Sequence, residues 1–227
     1  MNLNLVRPEN LWYVVGLITT DGNLSSDGRH INITSKDRIL LQKIKRALYL
    51  TNKIGRKTRG YDTEKKYSVL AFGDVTFYRY LVGIGLSPRK SLTLDSLQIP
   101  REYFPDFLRG VIDGDGSISM WIHKNNQHIQ WCLRVTSAAP LFSNWLKKEI
   151  ESYFSVYGKI YQYHFKNKKN PINILKFGKI ATKIILTKTY YPNCLALDRK
   201  LHQAMKCIVS SEGWGKYGAM KLSARVT

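Results

Sequence analysis

Two short stretches, LRGVIDGDG at 108–116 and GLITTDG at 16–22, decide how this chain is read. Each is an apolar, helix-like run ending in Asp-Gly, and their surroundings, LWYVVGLITTDGN (11–23) and YFPDFLRGVIDGDGS (103–117), are relatives of one another. Aligned on the last Asp-Gly, Gly16 matches Gly110, Leu17 matches Val111, Ile18 matches Ile112, and Asp21-Gly22 matches Asp115-Gly116, 94 residues apart.

The match continues outward in the same order. An alternating strand, HINITS (30–35), is followed by a helical stretch from Asp37 to about Tyr49; IQWCLRVTS (129–137) is followed by LFSNWLKKEIESYF (141–154). A hairpin from Gly55-Arg56-Lys57 to AFG (71–73) matches one from Gly158-Lys159-Ile160 to KFG (176–178). Apolar helical segments at 74–84 and 179–188 come next, and the pairs Arg89-Lys90 and Arg199-Lys200 close the two series. A repeat of this length signals one supersecondary unit used twice. The expected fold is α+β, with two pseudo-symmetric αββαββα repeats at residues 1–100 and 101–208. The segment LDSLQIPREYF (94–104) connects them, and 209–227 is a tail of unassigned role.

Small residues explain how the two motif helices meet. Gly inside a helix costs up to about 1 kcal/mol against Ala, so Gly16 and Gly110 make sense if another backbone comes close. Tyr13, Gly16, Leu17 and Thr20 form one stripe at helical spacing, and Phe107, Gly110, Val111 and Gly114 form its counterpart. Packing these stripes about a pseudo-twofold axis brings Asp21 and Asp115 together at the helix C-termini, where the helix dipole disfavours negative charge. A divalent cation would offset that crowding. Mg²⁺ takes oxygen ligands, often one or two carboxylates with waters and phosphates, and paired carboxylates with metal serve phosphodiester hydrolysis.

Charge points to a polyanionic partner, nucleic acid first, and on its own leaves RNA, DNA and an anionic membrane surface open. Thirty-six Lys and Arg against 16 Asp and Glu give +20, spread through the chain rather than held in one tail. A body so charged repels itself, which a polyanion would offset. Three widely spaced cysteines (Cys132, Cys194, Cys207) read as reduced intracellular thiols. No apolar run reaches membrane-spanning length, and MNLNLVRPEN lacks a secretory pattern. The strands alternate: Ile31 and Ile33 oppose His30, Asn32 and Thr34, while Ile129, Trp131, Leu133 and Val135 oppose Gln130, Cys132, Arg134 and Thr136. One face of each sheet is therefore expected to pack and the other to stay polar, as base reading in a major groove requires.

GLITTDG and LRGVIDGDG resemble the motifs of LAGLIDADG homing endonucleases, and their spacing resembles the monomeric two-motif members. The resemblance runs to about residue 208. It implies motif helices packed at the centre and two antiparallel sheets forming a DNA-binding saddle. It also implies that Asp21 and Asp115, helped by the Thr20 and Gly114 carbonyls, bind catalytic metal. Thr19 departs from the family's usual acid at its position. Lys90 and Lys200 take the place of the basic residue beside each scissile phosphate, and Ser35 and Ser137 that of a polar residue holding active-site water. The DNA-facing set expected from strands and hairpins is His30, Asn32, Thr34, Arg56, Lys57, Arg59, Gln130, Arg134, Thr136, Lys159, Gln162 and His164.

The expected activity is site-specific double-strand cleavage with Mg²⁺, Mn²⁺ or Ca²⁺ being able to substitute in binding, leaving short 3′ overhangs. The partner is a double-stranded, pseudo-palindromic or asymmetric DNA site bound by a monomer, with no membrane. The setting is intracellular, in a prokaryotic cytoplasm or nucleoid or an organelle matrix, and intron homing fits the family. The alternative is an RNA maturase or a non-cleaving DNA-binding regulator of the same fold. Keeping both terminal acids favours the nuclease. WIHKNNQH (121–128) suggests a His-Asn-His nuclease only superficially, because it falls at a hairpin tip.

Overall fold

The computed structural model describes residues 3–58, 67–125, 127–164 and 170–210. The first motif helix, α1 (Pro8–Asp21), starts on a proline already set for helical φ, and the second, α4 (Phe104–Asp115), has Pro105 in its first turn. Both run on to the aspartate itself, further than their apolar pattern alone predicts. Gly22 and Gly116 follow in extended conformation rather than as left-handed caps. Glycine is needed there for space: a Cβ on Gly22 would lie 2.5 Å from Ile18 Cα, and one on Gly116 would lie 2.6 Å from Ile112 O.

α1 and α4 pack along the expected stripes. A Cβ on Gly16 would sit 2.0 Å from Phe107 O, and one on Gly110 would sit 2.1 Å from Tyr13 O. Backbone touches backbone at both crossings, which is what the two glycines offset against their helix cost.

Each motif helix leads directly into a four-stranded antiparallel sheet. β1 (Gly22–Leu24), β2 (His30–Ser35), β3 (Ile54–Lys57) and β4 (Tyr67–Gly73) assemble in the order β1-β2-β4-β3; β5 (Gly116–Ile122), β6 (Ile129–Ser137), β7 (Gly158–Tyr163) and β8 (Ile172–Phe177) assemble as β5-β6-β8-β7. Helices α2 (Arg38–Ala47) and α3 (Val75–Gly83) in the first half correspond to α5 (Pro140–Phe154) and α6 (Lys179–Thr189) in the second. Ile31, Ile33, Leu70 and Phe72 in one sheet, and Leu133, Val135, Leu175 and Phe177 in the other, are buried in a core continuous with the motif helices. The α+β architecture of two αββαββα units, motif helices central, is the one the repeat predicts.

Three details depart from the sequence reading. The strand register pairs Ile54 with Leu70, which pairs in turn with Ile33, and Ile160 with Leu175, which pairs in turn with Val135. Gly55 is thus equivalent to Tyr161, not to Gly158, because register is set by pairing and a glycine match cannot fix it. Cys132, expected on the open face, is fully buried, a short side chain in a central strand between the longer Gln130 and Arg134 of its own face. The second half also adds α7 (Asp198–Val209), whereas the first half passes through turns where α7 would lie.

Candidate active site and nucleic-acid interface

Asp21 and Asp115 are the last residues of the two motif helices, and both are exposed. Their helix ends are in contact, since a Cβ on Gly114 would lie 1.9 Å from Thr20 Oγ1. The Thr20 hydroxyl turns back to donate to Leu17 O at 3.0 Å. A cleft of about 740 Å³ opens beside this point, lined by Thr20, Asp21, Thr34, Ser35, Lys57, Tyr67, Gly114 and Arg199 among others.

The two lysines lie beneath the carboxylates. Lys90 and Lys200 are only 7% and 5% exposed, so neither is a solvated surface lysine. Lys90 Nζ donates to Gly22 O. Lys200 Nζ donates to Ile112 O and Asp113 O, both at 2.6 Å, and to Gly114 O at 3.2 Å. Burial pushes both ammonium groups down to about 8; Asp115 and Asp21 pull Lys90 back up, and Asp113 most, with Asp21 and Asp115 behind it, pulls Lys200 back up. That both acids act on both lysines places all four groups in one electrostatic unit. Each lysine thus offsets the negative end of a motif helix, giving the fold its own compensation for a terminus that is unfavourable when read from sequence alone.

Sequence reasoning missed a buried polar network under the second motif. Asp113 is 2% exposed; its Oδ2 accepts from the Tyr13 hydroxyl (2.8 Å) and the Leu197 N–H (2.7 Å), and its Oδ1 from the Tyr190 hydroxyl (2.6 Å). Burial pushes the Asp113 carboxyl up against the lowering pull of these donors. Arg109, fully buried, donates to Asp106 Oδ1 (2.8 Å), Thr189 O (2.7 Å) and Leu195 O (2.9 Å), and stacks between the Tyr13 and Tyr191 rings at 5.3 and 4.9 Å. The signal was present: Asp106, Arg109 and Asp113 recur at helical spacing on an otherwise apolar helix, and charges on a buried helix need partners.

Ser35 and Ser137 play matching local parts. Ser35 Oγ accepts from the Asp37 N–H and Ser137 Oγ from the Ala139 N–H, each at 3.1 Å, turning the chain from the second strand into the following helix. Ser35 also lines the cleft.

Register divides the expected DNA-facing residues. Asn32, Thr34 and Lys57 share the open face of the first sheet with Asn23, Ala71 and Val69. His30, at the end of β2 on this face, is tied to Asp27 by a 2.5 Å contact, and its donors with the Arg29 N–H hold the Asp27 carboxyl down at about 2. On the second sheet, Gln130, Arg134, Thr136 and Lys159 share the open face. Arg56, paired with Ser68, and Gln162, paired with Asn173, lie on the opposite faces, because neighbouring residues in a strand point oppositely. His164 follows β7 and is exposed. Arg59 and the tail 211–227 lie outside the described residues. Missed on the open face were Tyr161, Tyr163 and Lys176, which with Arg134 and Ile174 line a pocket of about 230 Å³.

Among the described residues, no group of three or more His, Cys, Asp and Glu is gathered as a metal cage. The donors at the joined helix ends are two exposed carboxylates and main-chain carbonyls. Such an all-oxygen set fits a hard cation that keeps waters and takes phosphate, and does not fit a soft one. No helix among the described residues is long and apolar enough to cross a membrane.

Residues 8–85 match the family model described as a LAGLIDADG-like domain. No curated protein matches the chain in sequence. Among solved structures, the homing endonuclease I-WcaI bound to its DNA recognition sequence superposes with a TM-score of 0.63 over 88% of this chain and 87% of its own, at 11% identity. I-DmoI in complex with DNA and Mn gives 0.52 over 81% and 97%, at 16% identity. Full-length DUF199/WhiA from Thermatoga maritima gives 0.54 over 95% of this chain at 13% identity; the present chain spans 66% of that relative's length. These likenesses establish the fold, which nucleases and DUF199/WhiA share.

Proposed function

We propose that this chain, a LAGLIDADG-fold protein whose residues 8–85 match the LAGLIDADG-like domain, is a site-specific, divalent-metal-dependent double-strand DNA endonuclease. One observation carries the reading: two motif helices crossing glycine-on-backbone bring their Asp-Gly ends together, with Gly114 against the Thr20 side chain and a buried lysine beneath each end. Residues 1–100 and 101–208 each supply one half of the machine, so a single chain addresses both strands as a monomer. The DNA-bound state of I-WcaI and the DNA and Mn of I-DmoI support the substrate and the cofactor class.

Asp21 and Asp115, with the Thr20 and Gly114 carbonyls, would hold Mg²⁺ or a similar ion. When bound, such an ion supplies positive charge that polarises a phosphate and acidifies a nearby water. Asp21, at the wall of the cleft, would hold that charge where a phosphate can enter. Lys90 and Lys200 keep positive charge beneath the carboxylate pair and fix the terminal carbonyls by donating to them. Lys200 has all three N–H groups committed, and the 3.2 Å bond to Gly114 O is the longest and the first available for exchange. Fixed cations at a site where phosphate charge develops are worth most when water is excluded. Ser35 and Ser137 would steady waters at the rim, and the open sheet faces would read base edges. Because the two faces differ, an asymmetric target follows. Cutting both strands would leave short 3′ overhangs, as in intron homing inside a cell or organelle.

Selection of cleaved sequences from a randomised duplex library with Mg²⁺ tests this directly. Wild type should enrich one site, while Asp21→Asn and Asp115→Asn should bind that site without cutting it. Normal cutting by both variants would overturn the assignment. A second reading, a non-cleaving DNA-binding regulator, draws on the likeness to DUF199/WhiA; it predicts binding without cleavage by wild type, and gives no reason to keep two exposed aspartates joined.

A further inference from the structure

We infer that Asp113 is a positioning residue: its carboxylate locks the chain segment that carries Lys200 and thereby sets Lys200 under the second motif-helix end. The geometry is a closed loop. Asp113 Oδ2 accepts the Leu197 N–H at 2.7 Å, Leu197 is the residue from which α7 starts, and Lys200 lies in the first turn of α7. Lys200 Nζ then returns to the main chain at Ile112, Asp113 and Gly114. The same carboxylate is held by the Tyr190 hydroxyl, just beyond α6, and by the Tyr13 hydroxyl of α1, in the other half of the molecule. Three donors on a 2% exposed carboxylate leave it little freedom to shift without leaving a buried group unsatisfied.

The first half has no counterpart. Thr19 occupies the equivalent position, and its hydroxyl donates back to Val15 O of its own helix at 2.8 Å. Lys90 sits in a turn whose main chain bonds locally, with the Thr93 and Leu94 N–H groups donating to Lys90 O. The two lysines therefore reach similar places by unequal means: Lys200 is anchored through Asp113, and Lys90 through its own turn.

Acetylation of lysines in metal-free, DNA-free protein, read residue by residue by mass spectrometry, tests this without relying on cleavage. Asp113→Asn should raise the labelling rate of Lys200 about tenfold and leave Lys90 unchanged. Tyr190→Phe removes one donor, keeps the carboxylate, and should shift Lys200 in the same direction by less. Equal acceleration of both lysines, or of neither, in the variant that folds would overturn the inference. A second arm rests on the nuclease reading. On a nicking assay Asp113→Asn should slow the same strand as Lys200→Met and spare the other, whereas slowing of both strands alike would again overturn it. If wild type cuts nothing, the nuclease reading fails while the labelling result still decides this one.

Discussion

The two halves share one template and fill it differently. At the motif helices, Trp12, Val15 and Thr19 of the first half are apolar or locally satisfied, while their equivalents Asp106, Arg109 and Asp113 build a buried polar network. At the sheets, register makes Asn32 equivalent to Arg134, Ala71 to Lys176, Gly55 to Tyr161 and Lys57 to Tyr163. The middle of the first open face is amides and small side chains, with His30 and Lys57 toward its ends, whereas the second sets Arg134 and Lys176 beside Tyr161 and Tyr163. The glycine crossings of the two motif helices are the part that stays symmetric, with glycine against backbone at both, while the Tyr13–Asp113 bond made across the same interface has no twin. Duplication thus constrains the axis, where a change on one helix meets the other, and releases the outer layers, where each half meets its own surroundings.

The largest expected effect probes the inner difference. Arg109→Ala takes the cation from between two tyrosine rings and leaves the buried Asp106 only the Tyr191 hydroxyl, and should cost about 3–5 kcal/mol, as for other broken buried pairs. Val15→Ala at the equivalent position removes only packing and should cost about 1–3 kcal/mol. Urea unfolding measures both, and equal losses would mean the network adds nothing to the second half beyond volume.

The buried lysines come next, and here the halves should agree. Each has a folded-state value near 8 against an ordinary 10.5. The unfolded chain therefore binds more protons between those limits, and stability should rise with pH there. Below about pH 8 the burial penalty is fully in place. Relative to Lys90→Met or Lys200→Met, wild type should gain on the order of 2 kcal/mol by pH 10. A flat difference across that window would mean that the lysines are not buried as charged groups.

Much of this was legible in the sequence because local rules sufficed. HINITS and IQWCLRVTS gave their strands through period-two alternation, with bounds that the structure reproduces at both ends. Gly16 and Gly110 announced a close approach because nothing local justified them. What was not legible depends on where distant chain returns. The burial of Lys90 and Lys200 follows from turns and a helix that carry them back under the motif ends, and no spacing encodes that. The faces of Arg56 and Gln162 follow from pairing register, which a one-residue error inverts. Asp113 was readable as a buried charge, but its partners Tyr190 and Leu197 lie more than seventy residues downstream.

The outer difference predicts smaller effects on DNA binding. Arg134, flanked across the strand by Lys176, has the donors to grip a guanine edge, so Arg134→Ala should cost about 1–3 kcal/mol and relax one position of the selected site. Asn32→Ala, its equivalent, should relax an adenine preference by less.

The smallest effect is the sharpest test of the register. Lys57 lines the cleft beside Asp21 and lies on the open face, whereas the neighbouring Arg56 lies on the other. Both carry one positive charge, so a purely electrostatic account assigns them equal weight. If the open face is the one that meets DNA, Lys57→Ala should weaken binding by about 1 kcal/mol and lower the slope of log affinity on log salt by about one, while Arg56→Ala changes neither by a comparable amount. Equal losses would place both side chains within reach of phosphate. The first sheet would then be bound along its edge, and only the second sheet, with its cations and tyrosines, would be left to read bases face-on.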